Sequence, residues 1–213
     1  MFYSEGEYYS INACVEYPPC NEKIYAFLKD VSANIKIYDL NCYSLPLSSF
    51  KHDQIMSDNK GYKIDEIDFS AVSSDCTIYR LDFIAYGIQF RLMFDYWNTA
   101  YYGASVVFSD ELGVSESIIE TMSSSFYRAF NPIYGNKGNE RIILPLNELR
   151  ENDTHLFKGE FVVNCILYEY IKDDLKDAQI KKLSDKPELF SVVGCDASTT
   201  DIIKSILARM GGD

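Results

Sequence analysis

The clearest structural signal in the sequence is Ile88-Gln89-Phe90-Arg91-Leu92-Met93-Phe94-Asp95-Tyr96. Its even-numbered positions are all apolar and its odd-numbered positions are mostly polar, a period of two that is typical of a β-strand with one buried face. Residues 77–83 alternate with the opposite parity. The change of parity between the two segments predicts a bulge or a tight turn at Gly87.

A third strand follows after a short connection. Asn98 and Gly103 frame a turn, and a strand-like run over residues 104–108 comes directly after it. Successive strands that are joined by short connections favour antiparallel pairing. The sequence therefore predicts a β-meander over about residues 76–109.

Helical periodicity occurs in two places. Apolar side chains recur every three to four residues over about 114–130 and again over about 199–210, as in amphipathic helices. Ser117 and Glu120 fit a capping box for the first helix, and Ser115 is an equally good N-cap. The second helix has Ser, Thr and Asp residues at 198–201 that can cap it, and Gly211 can end it.

Weaker patterns predict several further elements. Helices are expected over 22–32, starting at Asn21, and over 172–183, where the residues are mostly charged. Strands are expected over 35–43, 141–146 and 161–168, and the last of these is apolar on both faces, which suits a central strand. Strands broken by a few helices predict the α+β class, with a single domain over residues 1–213 and a mainly antiparallel (mixed) β-sheet.

The chain is acidic along its whole length. Among 213 residues, 32 Asp plus Glu face 20 Lys plus Arg, so the formal net charge is −12, with −6 in each half. Phosphate contacts need clustered Lys and Arg, and direct nucleic-acid binding is therefore not expected. The sequence contains no secretion signal and no run of about 20 apolar residues that could cross a membrane. A cytoplasmic location without membrane contact is expected.

No motif in the sequence fixes a reaction. A Cys or Ser nucleophile needs a nearby base, and the two histidines, His52 and His155, both lie in polar, loop-like segments. The six cysteines lack metal-binding spacing and are predicted to be reduced, packed thiols, with a Cys14–Cys20 disulfide as the alternative in an oxidising compartment. No cofactor and no metal ion is predicted.

Two charged segments have structural interpretations. Residues 134–141 contain two glycines, a Lys and an Arg, which could cradle an anion, but they are predicted to form a connecting turn. Asp173, Asp174 and Asp177 are predicted to make solvated ion pairs on the charged helix. Neither segment is a predicted binding site.

The aromatic residues concentrate around one turn. The chain has 17 Tyr, 13 Phe and one Trp, and Tyr and Trp are enriched at binding hot spots. Burial in the core is the alternative for these side chains. The predicted partner-binding residues are Tyr96, Trp97, Tyr101, Tyr102, Asp95 and Asp82. At such a site, Trp97→Ala is expected to weaken binding by about 2 kcal/mol or more.

These features favour a non-enzymatic acidic binding protein that inhibits a basic protein, as immunity proteins, antitoxins and anti-defence proteins do. A net charge of −12 would steer it toward such a partner. Two alternatives stay open. One is a small-molecule-binding enzyme or sensor that uses carboxylate, Tyr and Cys–His groups, for example Cys76, His52 and Asp53. The other is a structural component of a viral or cellular assembly.

Overall fold

The computed structural model of the chain describes twelve segments, which are residues 8–17, 20–46, 62–64, 76–96, 100–109, 113–139, 143–150, 153–157, 159–175, 178–186, 188–194 and 199–210. Ten strands of these segments form one sheet, and every pair of neighbouring strands is antiparallel. Helices lie among the strands without regular β–α–β alternation. The predicted α+β class with a mainly antiparallel sheet is confirmed.

The strands are β1 (Tyr8–Val15), β2 (Tyr38–Pro46), β3 (Tyr62–Ile64), β4 (Cys76–Ala85), β5 (Ile88–Tyr96), β6 (Tyr102–Ser109), β7 (Tyr134–Asn139), β8 (Phe161–Asn164), β9 (Gln179–Asp185) and β10 (Glu188–Val193). Their order across the sheet is β3-β2-β4-β5-β6-β1-β7-β8-β10-β9. The α-helices of the described segments are α1 (Asn21–Ser32), α2 (Glu116–Phe130), α3 (Cys165–Ile171) and α4 (Thr199–Met210). None of these helices is both long and apolar enough to cross a bilayer.

The predicted β-meander is confirmed, since β4, β5 and β6 are neighbours in the sheet. Ala85 pairs with Ile88, so the connection between β4 and β5 contains two residues. Their φ angles are 55° at Tyr86 and 74° at Gly87. Positive φ at both central residues is the backbone of a tight β-hairpin turn, which glycine adopts without a steric penalty.

One face of the sheet packs against α1 and α2. The alternating residues Phe90, Leu92 and Phe94 of β5 are buried there, together with apolar residues of β1, β4 and β6. Phe27 of α1 and Phe126 of α2 meet with their ring centroids 6.1 Å apart. The opposite parity of β4 and β5 in the sequence therefore places both apolar sets on the same face, because the strands join through a two-residue turn.

The other face packs against α3 and α4 around β7, β8 and β10. Its core contains Tyr134, Phe161 and Val163 from the strands, and Ile202 and Ile206 from α4. Rings from two segments extend it, since the centroids of Tyr134 and Phe157 lie 5.3 Å apart. Both faces are thus covered, each by a different pair of helices.

Three of the four predicted helices are confirmed with small shifts. The helix expected over 22–32 is α1, the one over 114–130 is α2, and the one over 199–210 is α4. Ser115 is the N-cap residue of α2, so the capping box at Ser117 and Glu120 is wrong, and the Ser115 side chain makes no cap hydrogen bond. Its hydroxyl lies 3.1 Å from that of Ser117 instead.

The charged helix expected over 172–183 is wrong. A short 3-10 turn covers Lys172–Asp174, and Gln179–Asp185 form the edge strand β9. The first four residues of β9 are exposed, and lysines are common on edge strands because like charges discourage pairing between two copies of the same edge. An exposed, charged edge strand and a charged surface helix therefore have similar sequences, which explains the wrong prediction.

Other predictions in the second half of the chain also need correction. The strand expected over 161–168 ends at Asn164, whose side-chain Oδ1 accepts the backbone N–H of Leu167 at 2.8 Å and begins α3. The connecting turn expected over 134–141 contains strand β7. The strand expected over 141–146 is absent from the described residues 143–146, which are irregular and lead into a 3-10 turn at Leu146–Glu148. The short strand expected over 35–43 is present as β2.

Candidate functional site

The candidate site lies at the end of the sheet where β5, β6 and β1 meet. Tyr96 pairs with Tyr102 at the end of the β5–β6 ladder. On the other side of β6, Val15 of β1 pairs with Tyr102. The sequence thus brings the predicted turn next to the C-terminal end of β1, where the chain leaves the sheet to enter α1.

Three of the predicted binding residues lie at this end, on both faces of the sheet. Tyr102 packs against the core that α1 and α2 cover, and Tyr101 packs against the core around α3 and α4. Asp95 pairs with Gly103, and Asp95, Tyr101 and Tyr102 are all half-buried. Gly103, expected to frame the turn, therefore lies inside β6. The backbone of Tyr96 belongs to β5, but its side chain, like Trp97 and Asn98, lies outside the described residues.

Asp82 does not join this group, because it lies inside the sheet. It is 5% exposed, and its carboxylate accepts hydrogen bonds from Arg80 and Arg91, with Arg91 Nε at 2.7 Å. The Arg80 guanidinium also lies over the Tyr43 ring, 4.3 Å from its centroid. Burial alone would raise the pKa of Asp82, but the two guanidiniums outweigh it and hold the pKa below its usual value. The carboxylate is therefore ionised and engaged within the fold.

The structure adds two residues that the sequence reading did not select. Glu16 and Tyr17 follow β1 directly, and Tyr17 is 65% exposed, more than any other large hydrophobic side chain in the described segments. Lys23 of α1 lies 6.0 Å from the centroid of the Tyr17 ring. The sequence signal for an exposed Tyr17 is its position directly before two prolines. A residue before proline disfavours helical backbone, so Tyr17 cannot be buried on the face of a helix.

Glu16 and Tyr101 are electrostatically coupled. Burial raises the pKa of the Tyr101 hydroxyl, and Cys14 and Glu16 raise it further because they disfavour a second negative charge nearby. This coupling places the end of β1 beside the start of β6. We refer to Glu16, Tyr17, Asp95, Tyr101 and Tyr102 together as the acidic aromatic end.

A surface cleft of about 550 Å³ lies in the 144–153 segment. Its lining residues are Leu144, Asn147, Glu148, Leu149, Arg150 and Asp153. Two contacts hold its walls. The Tyr134 hydroxyl donates a hydrogen bond to the Leu144 carbonyl, and the Arg150 backbone N–H donates to the Asp153 carboxylate at 2.7 Å. The cleft combines apolar side chains with both signs of charge.

The groups considered for nucleophilic catalysis lie only partly within the described residues. Cys14 is fully buried, and burial raises the pKa of its thiol to about 12, which leaves it protonated and unreactive at neutral pH. Cys76 is half-buried at the start of β4, but His52 and Asp53 lie outside the described residues, as does the side chain of His155. Among described side chains, no group of three or more His, Cys, Asp or Glu could hold a metal ion.

The thiols and the 134–141 segment have structural roles. The described cysteines, Cys14 and Cys20 among them, are free thiols, so the alternative disulfide is not formed. Lys137 of β7 is engaged by the Glu120 carboxylate and by that of Glu160, at 2.9 Å. The lysine that was considered for an anion cradle therefore links α2 to the start of β8.

The comparisons with known proteins provide little. No protein-family model matches the chain, and no curated protein matches its sequence. Among solved structures, Pseudomonas aeruginosa T6SS protein PA0821 is similar over 97% of this chain and 73% of its own, at 9% sequence identity and a TM-score of 0.40. Any function therefore has to be inferred from the chain's own residues.

Proposed function

We propose that the chain is a protein-binding module that captures a basic protein partner at its acidic aromatic end and thereby inhibits it. The observation that carries this proposal is the exposure of Tyr17, at 65%, beside Glu16 in the chain and at the same end of the sheet as the half-buried Asp95 and Tyr101. Tyrosine is enriched at the hot spots of protein interfaces, where it is surrounded by polar groups.

Tyrosine suits the centre of such an interface. Its ring buries a large apolar area with few rotatable bonds, and its hydroxyl still finds a polar partner. Carboxylates around it pair with Lys and Arg of a partner, which fixes orientation and excludes acidic competitors. The neighbouring pair of Lys23 and Tyr17 shows that this ring already accepts a cation over its face.

The scaffold supports the same use. Three strand ends, those of β5, β6 and β1, support the acidic aromatic end, and a loop surface on a rigid sheet is the usual location of binding residues. The overall charge of −12 adds a long-range attraction that increases the association rate with a basic protein.

The test begins with affinity purification from the native cell, using the whole chain as bait. A stoichiometric basic protein that survives washing is the expected result, and its activity should fall when the purified chain is added. Tyr17→Ala should then weaken the complex by about 2 kcal/mol, or roughly thirtyfold in Kd. Isothermal titration calorimetry measures the change.

Tyr38→Ala is the matched control. Tyr38 is also exposed, at 44%, but it pairs with Ile84 at the opposite end of the sheet, so the control should leave Kd unchanged. Equal effects of the two variants would contradict the proposed site. A purified partner that is acidic would contradict the proposed class of partner.

The cleft of about 550 Å³ supports a second candidate, a small-molecule site. Pockets of this size hold metabolites when apolar walls and a few polar groups converge. Arg150 and Leu149 provide such a combination. A small molecule that copurifies with the chain and is released by Arg150→Ala would favour this candidate over inhibition.

A further inference from the structure

Strand β9 is at one edge of the sheet that the described strands form. It is the last strand in the sheet order and pairs only with β10 among the described strands. An edge strand presents a row of backbone N–H and C=O groups that can pair with another chain. β9 has seven residues, and a register shift at Leu183 leaves an unbroken run of four of them, residues 179–182, for a partner strand.

The β9 edge is exposed and carries apolar side chains. Ile180 of β9 is 40% exposed, and Val193 of β10 is 41% exposed. Val193 pairs with Gln179, so both apolar residues lie where β9 begins. Because successive side chains of a strand point to opposite faces, the β9 edge has apolar contacts on both faces at this end.

The charge of this edge is opposite to that of the protein. Lys181, Lys182 and Lys186 face one acidic residue, Asp185, between 179 and 186. Lys182 is paired with Asp185 at 2.8 Å and with Glu188 at 2.7 Å. Lys181 and Lys186 are exposed and make no ion pair with any residue that the structure describes.

We propose that the β9 edge binds an extended acidic segment of a partner protein, which adds as a further strand of the sheet. Backbone hydrogen bonds supply the affinity of such an added strand, and its alternating side chains supply specificity. Acidic side chains pair with Lys181 on one face, while an apolar side chain contacts Ile180 on the other. Self-pairing of β9 in a register centred on Lys181 or Lys182 would place lysines opposite lysines, which disfavours these registers.

This site is separate from the acidic aromatic end. Strands β7, β8 and β10 lie between β1 and β9, and the two surfaces select opposite charges. Failure of one proposal therefore leaves the other standing.

The test uses a fluorescein-labelled peptide of about eight residues that alternates Glu and Val, and a second peptide with Lys in place of Glu. Fluorescence anisotropy with the whole chain should show binding of the acidic peptide only. Lys181→Glu should weaken it about tenfold, because a favourable cross-strand charge pair becomes repulsive. Lys36→Glu, at an exposed lysine between α1 and β2, makes the same change of charge elsewhere and should leave the affinity unchanged.

Hydrogen exchange distinguishes strand addition from general attraction between charges. The acidic peptide should slow exchange of backbone amides within 179–185, because strand addition protects the outward N–H groups. Protection elsewhere, equal binding of the two peptides, or equal effects of the two variants would overturn the proposal. Absence of binding, competition by a single-stranded oligonucleotide at the same affinity, or a dimer of the chain that forms through β9 would also overturn it.

Discussion

Replacing Asp82 by asparagine separates two roles that this carboxylate could have. The sequence places Asp82 among the partner-binding residues, whereas in the structure it lies between Arg80 and Arg91. A binding residue and a structural residue respond differently to the same change. Asp82→Asn should lower the free energy of unfolding and leave partner binding intact.

The size of the loss follows from the surroundings of the carboxylate. Removing one member of a buried ion pair costs about 3–5 kcal/mol, because the remaining charge stays desolvated. The Arg80 side chain is 28% exposed and can regain water, while asparagine keeps one oxygen that can accept a hydrogen bond. We therefore expect a loss of about 2–3 kcal/mol, or roughly 5–10 °C in Tm for a chain of this size.

Urea unfolding at pH 7, followed by circular dichroism, measures the loss as a lower midpoint at constant slope. Asp173→Asn is the control, because Asp173 is exposed in a 3-10 turn, and it should leave the midpoint nearly unchanged. If both variants unfold at the same urea concentration, the carboxylate is not engaged within the sheet. Weaker partner binding at unchanged stability would return Asp82 to the interface.

The pH dependence of stability tests the role of Asp82 independently. The pKa of Asp82 is lowered in the folded chain, so its contribution to stability is complete above the unfolded pKa of about 3.9. The contribution is lost as the pH falls through the folded pKa. The difference in stability between the wild type and Asp82→Asn should therefore stay constant from about pH 5 upward and shrink below about pH 4.

Three further predictions concern the packing of the sheet. In Gly135→Ala the new Cβ would lie 2.5 Å from a β1 carbonyl oxygen and 2.7 Å from Tyr127 Cε1. Thermal unfolding should therefore show that the free energy of unfolding falls by about 1–3 kcal/mol. An unchanged Tm would refute this close contact. Asn164→Ala removes the N-cap of α3 and should cost about 1 kcal/mol in urea unfolding, whereas Asn164→Asp should retain the cap, and equal losses would contradict it. Cys14, buried with a thiol pKa of about 12, should resist iodoacetamide in the native chain while the half-buried Cys20 reacts; peptide mass spectrometry would show equal labelling if Cys14 were accessible.

The predictable parts of the fold are the strands and helices that have one buried face and one solvent-exposed face. The alternation in β5 and the apolar stripe of α2 both arise because one side contacts the core and the other side contacts water. Both elements were located to within two residues of their bounds. The turn at Gly87 was predictable for a local reason, since a two-residue hairpin turn needs positive φ.

Strand β1 was missed because it is buried on both faces and one of these faces is polar. Asn12 Nδ2 donates to Asn136 Oδ1 at 3.0 Å, and the Ser105 hydroxyl donates to Asn12 Oδ1 at 2.9 Å. Buried polar groups of this kind are stable only when their hydrogen bonds are satisfied by other strands. A single sequence does not show that Asn12 of β1 meets Asn136 of β7, and no element is predicted over Tyr8–Val15.

Only those residues of the candidate site that are close together in the sequence could be predicted. Asp95, Tyr101 and Tyr102 surround one turn and are close in sequence, so composition was enough to find them. Tyr17 reaches the same end of the sheet because β1 pairs with β6, a contact between residues far apart in the chain. Asp82 was selected for its nearness in sequence, but its position in β4 places it opposite Arg91 and not at the turn.

The acidic residues behind the net charge of −12 do not all attract a partner equally, because some of their carboxylates are paired within the fold. Asp82 is neutralised by two arginines, and Lys137 lies between Glu120 and Glu160, so these paired carboxylates add little to the field that a partner meets, and the other acidic residues supply most of it. That field governs the association rate, which falls as salt is added. Close contacts such as those of Tyr17 govern the dissociation rate. A partner that binds as we propose should therefore associate more slowly in high salt and dissociate faster from Tyr17→Ala, because different groups control the two rates.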